Sequence, residues 1–447
     1  MPGFVPHTGD EVAAMLDFIG LSSVDELFAA VPPALRLAGG LDMDPGRSEP
    51  DVAAELEALA ARNRVGADLV CFAGGGAYDH EVPAAVRRVA FRSEFVTAYT
   101  PYQAEVAQGV LQALFEYQTM VARLAGLPAA NASLYDGATA LVEAANLAAA
   151  STGRSAVWVS RGVNPCWRQV LRTFAAGTGH QTVELDLVDG LTAMAPPESE
   201  GTDHGPPAAV VVQYPNYLGC LEDLGEARRL ADETGALLVV AFDPVAAGLL
   251  RSPGSWGADV VVGEGQPFGT PLSFGGPYLG LFACRSEHLR RLPGRLVGET
   301  VDGAGRRAYV TTLRAREQDI RREKASSNVC TNQTLIAVCC AIQLAWLGTG
   351  GLAELALRCA RATRATRQAL VALDGVEPLV AAPVLREFAV RTPVPPATVV
   401  ERMADEGFLA GIALEDEYGG GLLVAATERR TQAEIDAYAA AFAKVIR

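Results

Sequence analysis

The stretch that decides the fold is Val260 to Pro277, which reads VVVGEGQPFGTPLSFGGP. A run of β-branched residues ends in glycine, and a polar loop then leads to Gly275-Gly276-Pro277, which indicates a backbone that approaches a ligand or a partner closely. Upstream, Leu237 to Phe242 predicts a second buried strand that delivers Asp243 at its carboxyl end. Open α/β sheets place their sites at that edge, so Asp243 and the polar loop are the first candidate site elements.

Strands and helices alternate around these two strands. Short buried strands separated by helices of about 10 to 15 residues predict a mostly parallel sheet that is covered on both faces, which is an α/β fold. In chain order the sequence predicts strand 156–160, helix 165–175, strand 182–185, strand 208–213, helix 224–234, the two strands named above, and a strand at 279–284.

The regions outside this alternation carry weaker signals. The N-terminal part reads as helical, with a capping box from Ser23 to Glu26. We expect an exposed polar loop from Met194 to Pro207 and an arginine-rich loop region from Arg285 to Arg322. An apolar helix should end near Gly348, and a smaller α+β region should follow it. That region begins with a helix from about Gly350 and then has predicted strands at 387–390 and 422–426, a helix at 397–406, and a last helix capped by Thr431 and Glu434.

The composition excludes several classes of function. Half of the residues are hydrophobic, a fifth are charged, and the net charge of −15 disfavours binding to nucleic acid, whose phosphates require a basic face. The eight cysteines are scattered without a Cys-x-x-Cys pair, which favours buried thiols over a metal or redox site. No apolar run is long enough to span a membrane, and Met1 to Asp10 lacks the features of a signal peptide. We therefore expect a cytoplasmic location.

Three further segments carry candidate site residues. Phe72 to His80 combines three glycines with two aromatic residues and a histidine, and read alone it is a tight loop. Tyr99 to Glu105 places two tyrosines and a proline-fixed turn ahead of a long helix, which suits ligand or interface contact and equally suits a helix N-terminus packed on the core. Asp136-Gly137-Ala138-Thr139 opens a helix whose free N–H groups could cradle a phosphate, although a simple capping role for Asp136 is slightly favoured.

Five motifs in this order resemble the P-protein family of the glycine cleavage system. The resemblance covers essentially the whole chain and is to the N-terminal half of the family, which exists as one long chain or as two subunits. It implies the PLP-dependent transferase fold (fold type I), with an N-terminal helical segment and partner-crossing loops at 1–127, a large α/β domain at 128–349, and a small C-terminal α+β domain at 350–447. The motifs are Phe72 to His80, Tyr99 to Glu105, Gln213 to Tyr217, Gly263 to Pro277 and Arg321 to Gln333.

The resemblance also implies an activity. In the family, the complex decarboxylates glycine on pyridoxal 5′-phosphate (PLP) and passes the aminomethyl group to the lipoyl arm of the H-protein. The lysine that binds PLP lies on the other half, and Gln266 stands at its place in this sequence. A glutamine amide is not nucleophilic and forms no Schiff base. We therefore expect a homologous partner chain to hold PLP, and this chain to keep only vestiges of the cofactor site at Asp243, Gly137 and Thr139.

Enzymes of this fold complete each active site with a segment of the neighbouring subunit. The resemblance is dense at the turn fixed by Pro101, where side chains would lose little conformational freedom on binding. The residues expected to reach the partner's site are Tyr99, Thr100, Tyr102 and Gln103, with Gly75, Tyr78 and His80 as a second set at the same entrance.

Two alternatives stay open. Only Lys324 and Lys444 are lysines among the 37 basic residues, so a self-sufficient PLP lyase or decarboxylase would have to use Lys324. Lys324 follows Arg321, Arg322 and Glu323, and such a solvated, ion-paired setting keeps an amine protonated. The second alternative is a purely structural subunit that adds no residue to any site.

Overall fold

The computed structural model describes residues 6–37, 41–64, 68–196 and 205–447. The chain forms two compact units, Met1–Arg64 and Val65–Arg447. Parts of two segments discussed above, the N-terminus before Pro6 and residues 197–204 of the loop from Met194 to Pro207, lie outside the described residues.

A seven-stranded sheet lies at the centre of the second unit. The five strands from Val260–Glu264 to Gln181–Leu185 are parallel, and the two strands at the other edge are antiparallel. This confirms the predicted α/β fold with a mostly parallel sheet. The strand order is Ala129–Ala130, Gly280–Cys284, Val260–Glu264, Leu237–Phe242, Ala209–Tyr214, Ala156–Ser160 and Gln181–Leu185.

Helices cover both faces of the sheet. Every residue of Ala156–Ser160 and of Val260–Glu264 is buried, which is typical of parallel strands between two helical layers. Val157 and Val159 belong to one apolar core and Trp158 to the other, because successive side chains point to opposite faces. The α-helices of this unit are Ala84–Ala90, Ser93–Val96, Gln108–Ala125, Gly137–Thr152, Pro165–Thr178, Leu224–Thr234, Gln318–Arg321, Thr334–Val371, Pro396–Asp405 and Gln432–Val445.

A smaller antiparallel sheet follows toward the C-terminus. Its core includes Phe72, whose ring stacks on Tyr438 with 4.0 Å between centroids. Strand Val70–Cys71 also pairs with Phe408–Leu409. This pairing fixes the chain just before Phe72 to His80, which we call the glycine loop, to this sheet region. The strand order in the small sheet is Glu377–Pro378, Glu387–Arg391, Gly421–Ala425 and Ile412–Leu414.

The predicted arginine-rich loop is partly wrong, because it contains a β-hairpin. Leu296–Val301 pairs with Arg307–Thr312 in antiparallel register, and the Asp302 side chain closes the turn by accepting the N–H groups of Ala304 and Arg306, each at 2.9 Å. A second two-stranded ribbon pairs Leu187–Val188 with Leu191–Thr192. Neither strand of the first hairpin alternates regularly between buried and exposed residues, so no strand pattern was evident in the sequence.

The stretch Thr334–Val371 is interrupted near Gly348, where the sequence predicted a helix end: Gly348 has a φ of 62° and is not helical, so two helical segments are joined there at a kink. Among the described residues it is the one helix whose length and composition would suit a membrane span, a test that core helices also pass. Its residues Ala337, Cys340 and Leu344 are buried in the main core.

The first unit contains short helices at Gly9–Phe18, Val24–Phe28, Pro33–Leu35 and Glu49–Ala60. None of the residues in these four elements is buried. The predicted capping box at Ser23 is wrong, because the Ser23 side chain makes no capping hydrogen bond and the segment is a 3-10 turn. The neighbouring Ser22 hydroxyl contacts the Glu26 carboxylate instead.

Candidate functional site

Loops at the carboxyl edge of the parallel strands bring several predicted site residues together. Asp243 follows one strand, Gln266 follows the next, and the glycine loop reaches them through Tyr78. Asp243 and the glycine loop line a cavity of about 40 Å³, which we call the sheet-edge pocket, and Gln266 lies behind its wall next to Pro267. It is lined in part by Gly76, Tyr78, Asn164, Trp167, Asp243 and Glu264.

Gln266 is fully buried and its amide is completely used. Its Oε1 accepts the Tyr78 N–H at 3.0 Å, and its Nε2 donates to the carbonyls of Tyr78 at 3.0 Å and Thr270 at 2.9 Å. Both amide hydrogens and the amide oxygen are therefore bonded to backbone. The side chain acts as a clamp that joins the glycine loop to the loop after strand Val260–Glu264.

The Glu264 carboxylate lies at the N-terminus of helix Gly137–Thr152. It accepts the Gly137 N–H at 2.9 Å through one oxygen, and the N–H groups of Gln266 and Leu279, each at 2.9 Å, through the other. Burial raises its pKa to about 8, and the three backbone donors act against that rise. A helix N-terminus attracts anions, so this carboxylate takes the position that a phosphate would need.

Asp136 caps helix Gly137–Thr152, which is the role that the sequence slightly favoured. Its side chain accepts the Thr139 N–H at 2.7 Å, and the Thr139 hydroxyl accepts the Asp136 N–H at 3.2 Å. Gly137 and Thr139 are therefore held by the chain's own groups. A Cβ atom at Gly137 would lie 2.2 Å from ring atoms of Trp167, so glycine is required there to seat that ring.

Asp243 is neutralised by Arg386, a residue of the C-terminal region. Arg386 Nη1 contacts both carboxylate oxygens, one of them at 2.5 Å, and the Asp243 carboxylate also accepts the Val245 N–H at 2.9 Å. Burial lowers the pKa of Arg386, but the contact with Asp243 outweighs it and the net pKa is raised. Asp243 therefore has a structural role here, because its carboxylate binds Arg386 and a backbone N–H next to Pro244.

Tyr78 and His80 are packed against the same arginine. The Arg386 guanidinium lies 3.7 Å from the centroid of the Tyr78 ring and contacts His80 Nε2. Burial and Arg386 lower the pKa of His80, so its ring is neutral, with Nδ1 2.6 Å from the Glu428 carboxylate. Both residues are buried inside this chain.

The glycine loop is held by side chains from two sheets. Glu387 accepts the Gly75 N–H at 2.6 Å and the Tyr78 hydroxyl at 2.9 Å, while Asn164 Nδ2 donates to the Gly75 carbonyl at 2.7 Å. Gly75 has a φ of 71°, which favours glycine. The loop thus ties the small sheet to the large one.

PLP does not fit the sheet-edge pocket. Ligand pockets have volumes of about 300–1,000 Å³, and this cavity has about 40 Å³. The Glu264 carboxylate occupies the helix N-terminus where a phosphate would bind, and the Asp243 carboxylate is already paired with Arg386. Position 266 carries a glutamine, which has no amine. The segment from Ser160 to Pro165 has no aromatic ring that could stack on a cofactor. Trp167, in the next turn, does line the pocket, and the sequence analysis did not identify it.

The turn from Tyr99 to Gln103 lies elsewhere. It borders a second cavity of about 110 Å³, which we call the tyrosine cleft, lined in part by Pro101, Tyr102, Arg295, Thr311, Arg314, Glu317 and Cys330. Tyr99 is 78% exposed and Tyr102 is 62% exposed, whereas Thr100 is buried. Gln103 is also exposed. The two cavities share no lining residue, so the chain does not bring its two sets of candidates to one entrance.

Lys324, the candidate nucleophile, lies in an exposed 3-10 turn at Arg322–Lys324. It lines neither of the two cavities. Within the described ranges it forms no ion pair, so the expected ion-paired setting is not seen. Its exposed position does not desolvate the amine, and a hydrated lysine is not activated for Schiff-base chemistry.

His80, Cys359 and Glu428 place ligand-type atoms close together. The Arg386 guanidinium can only donate, so His80 Nε2 must accept from it, and the proton therefore sits on Nδ1 and is donated to Glu428. Both ring nitrogens are occupied. This donor set does not fit a metal ion.

Sequence reasoning missed Glu264, Arg386 and Arg295 as site residues. Glu264 stands in the stretch that decides the fold, and its position directly after the valines of a buried strand and one glycine was the available signal. The two arginines gave no local signal, because nearly all 37 basic residues of the chain are arginines.

Comparison with known proteins agrees with this geometry. The family described as "Glycine cleavage system P-protein" matches residues 2–442. The chain is 48% identical over 436 residues to a probable glycine dehydrogenase (decarboxylating) subunit 1 from Prosthecochloris aestuarii, covering 97% of this chain and 98% of that protein. A protein of the same description from Moorella thermoacetica is 46% identical over 447 residues, covering 99% of each chain.

Solved structures are similar along nearly the whole chain. A crystal structure of a glycine decarboxylase (P-protein) of the glycine cleavage system, in inhibitor-bound form, matches with a TM-score of 0.90 at 45% identity, covering 99% of this chain and 100% of that one. A sphingosine-1-phosphate lyase from Burkholderia pseudomallei matches with a TM-score of 0.60 at 14% identity, covering 94% of each chain. A cysteine desulfurase from Escherichia coli matches with a TM-score of 0.60 at 15% identity, covering 85% of this chain and 95% of that one. The last two share the fold alone.

Proposed function

The chain belongs to the glycine cleavage system P-protein family, and from that premise we propose that it is the subunit that holds no PLP and completes the site of a PLP-bearing partner chain. It is a subunit of glycine dehydrogenase (decarboxylating), an activity that belongs to a complex. The relatives' description as subunit 1 implies a second subunit.

The buried amide of Gln266 is the observation that carries this proposal. An amide whose hydrogens and oxygen are all bonded to backbone has no chemistry left for a cofactor. The closed ion pair of Asp243 with Arg386 and the carboxylate of Glu264 at the helix N-terminus support the same assignment. PLP in the complex is therefore assigned to the partner chain.

In this proposal, the complex binds glycine and delivers the aminomethyl group to the lipoyl arm of the H-protein. PLP, when bound to the partner, supplies the electron sink for decarboxylation. This chain supplies binding groups. The exposed tyrosine hydroxyls and the Gln103 amide can donate hydrogen bonds to a carboxylate or a phosphate, or line the path of the lipoyl arm.

The turn is suited to that part because it is rigid and keeps two tyrosine side chains largely exposed. Pro101 fixes the backbone, and the Thr100 hydroxyl is held by Arg295. Tyr99 and Tyr102 remain largely exposed, and tyrosine is enriched at interfaces because its ring is apolar and its hydroxyl can form a hydrogen bond. Exposed, pre-ordered side chains lose little freedom on binding a partner.

Tyr99→Phe and Tyr102→Phe in the assembled complex test this role. Removing one hydroxyl that acts in the transition state should lower glycine decarboxylation by roughly 10²- to 10³-fold. Tyr135→Phe is the matched control, since Tyr135 is also an exposed tyrosine, at 36%, and lines neither cavity. Sedimentation checks assembly. Variants that assemble and turn over within about twofold of wild type would favour the purely structural subunit.

A further inference from the structure

Arg295 is a nine-tenths buried arginine in the wall of the tyrosine cleft. It is 9% exposed, and its Nη1 contacts the Thr100 hydroxyl. Its guanidinium carbon lies 5.2 Å from the centroid of the Tyr102 ring. Within residues 6–37, 41–64, 68–196 and 205–447 it forms no ion pair with a carboxylate.

Burial of a cation without an anionic partner is costly, and proteins normally pair such a group. The other charged groups of the cleft do not pair Arg295. Arg314 and Asp319 form their own ion pair at 3.0 Å. Burial raises the pKa of Glu317 and the nearby charge of Arg295 acts against that rise, but Glu317 forms no ion pair with Arg295, and its buried Oε1 has no hydrogen-bond partner in the part of the chain that the structure describes.

The guanidinium of Arg295 borders the open space of the cleft. The Thr100 contact and the Tyr102 ring fix the plane of the guanidinium, and a planar fork of donors matches a phosphate or a carboxylate. The cavity of about 110 Å³ has room for one such group. It does not have room for a whole ligand of drug size, which needs about 300 Å³ or more.

We propose that Arg295 binds an oxyanion group of the ligand in the partner chain's site when the two chains assemble. This inference rests on the proposed function, because the ligand is presented by the partner. Two sources carry such a group, the phosphate of PLP and the carboxylate of glycine. Arg295 thus joins Tyr99, Tyr102 and Gln103 as a residue through which this chain completes the site.

The test uses the assembled complex with Arg295→Gln and Arg295→Lys in this chain. Arg306→Gln is the matched control, because Arg306 lies at the exposed turn of the hairpin that follows Arg295 and is paired with Asp302. PLP affinity is measured by spectroscopic titration of the complex after its PLP has been removed, and the KM for glycine by decarboxylation. Circular dichroism and sedimentation check folding and assembly.

Loss of a hydrogen-bonded charge should weaken binding of its ligand roughly 10- to 100-fold. If Arg295 binds the phosphate, Arg295→Gln weakens PLP binding by that factor. If it binds the carboxylate, PLP affinity is kept and the KM for glycine rises by that factor. In either case Arg295→Lys lies between wild type and Arg295→Gln, and Arg306→Gln behaves as wild type.

A wild-type PLP affinity and glycine KM in both Arg295 variants would overturn the inference. If Arg295→Gln fails to assemble, the same two readings on Arg295→Lys decide, because lysine keeps the charge and loses the planar fork. Loss of activity in the tyrosine variants with unaffected Arg295 variants would leave the proposed function standing. A wild-type complex without glycine decarboxylation would instead contradict the proposed function itself.

Discussion

The Gln266 side chain forms hydrogen bonds to the backbone of two loops. Gln266→Lys would break the bonds to Tyr78 and Thr270 and place an ammonium among backbone donors and acceptors at a site with no solvent exposure. We expect it to destabilise the protein by about 3–5 kcal/mol without creating a PLP site, because Glu264 and Arg386 still fill the pocket. Urea unfolding and PLP absorbance measure the two effects.

Gln103→Lys is the matched control for that substitution, since Gln103 is exposed. It should change the unfolding free energy by less than about 0.5 kcal/mol. A Gln266→Lys variant with wild-type stability, or one that binds PLP covalently, would contradict the clamp.

Glu387 gives the site a pH dependence. Burial raises its pKa to about 7, against about 4.3 in an unfolded chain. The folded protein therefore keeps a proton that the unfolded chain has lost between these two values, so the contribution to stability is complete below about pH 4.3 and is lost as the pH rises through about 7. Glu387→Gln retains hydrogen-bond partners for the Gly75 N–H and the Tyr78 hydroxyl. It also removes this loss of stability, because a glutamine does not titrate.

We expect the Glu387→Gln complex to be more resistant to urea than wild type by about 1–3 kcal/mol at about pH 8, and to show a flatter dependence on pH. Urea midpoints at about pH 5 and about pH 8 check this. Parallel pH profiles for the two proteins would show that Glu387 does not carry the effect.

Among single residues, the sequence predicted those that follow a buried strand directly. Gln266 and Asp243 are of this kind. Arg386 and Arg295 were out of reach, because their partners Asp243 and Thr100 stand 143 and 195 positions away along the chain. A pairing across such a separation exists only after the sheet has formed, and no local pattern encodes it.

The glycine loop is the element that joins the two sheets, and its glycines are required by packing. A Cβ at Gly74 would lie 2.3 Å from Glu387 Oε1 and 2.5 Å from the Cβ of Ala425, which sits on a buried strand. Gly74→Ala should therefore destabilise the protein by about 1–3 kcal/mol. Thermal unfolding measures the change.

Gly177→Ala provides a control of opposite sign. Gly177 lies in helix Pro165–Thr178, and a Cβ added there would meet no atom within 4 Å, so alanine should be neutral or stabilise the protein by about 0.5–1 kcal/mol. Equal effects of the two substitutions would remove the packing argument for the loop.

Elements were predicted best where the hydrophobic period is regular. Strand Ala156–Ser160, strand Leu237–Phe242 and helix Leu224–Thr234 have the predicted bounds, because buried valines or an amphipathic helix with a cap define them. The hairpin at Leu296–Val301 was missed because that strand passes from a buried start at Leu296 to an exposed end at Val301, so its residues show no alternation of buried and exposed positions. The division of the chain at 127 and 349 stays a prediction.

At the scale of the whole molecule, apolar side chains remain exposed in both units. The described elements of the first unit bury no residue, and Phe18 is 90% exposed. In the second unit, Val106 is 81%, Phe274 is 96% and Trp346 is 60% exposed. Such exposed apolar residues are available for contact with the second subunit implied by the relatives' description. A cytoplasmic location and the H-protein as partner stay predictions.

The central claim is that the complex holds PLP on the partner chain alone. Borohydride reduction of the assembled complex, followed by peptide mapping of both chains, tests it directly, because reduction fixes PLP to the lysine that carries it. We expect a pyridoxyl group on a lysine of the partner chain and none on Lys324 or Lys444, the lysines of this chain. A pyridoxyl group on Lys324 would contradict the claim.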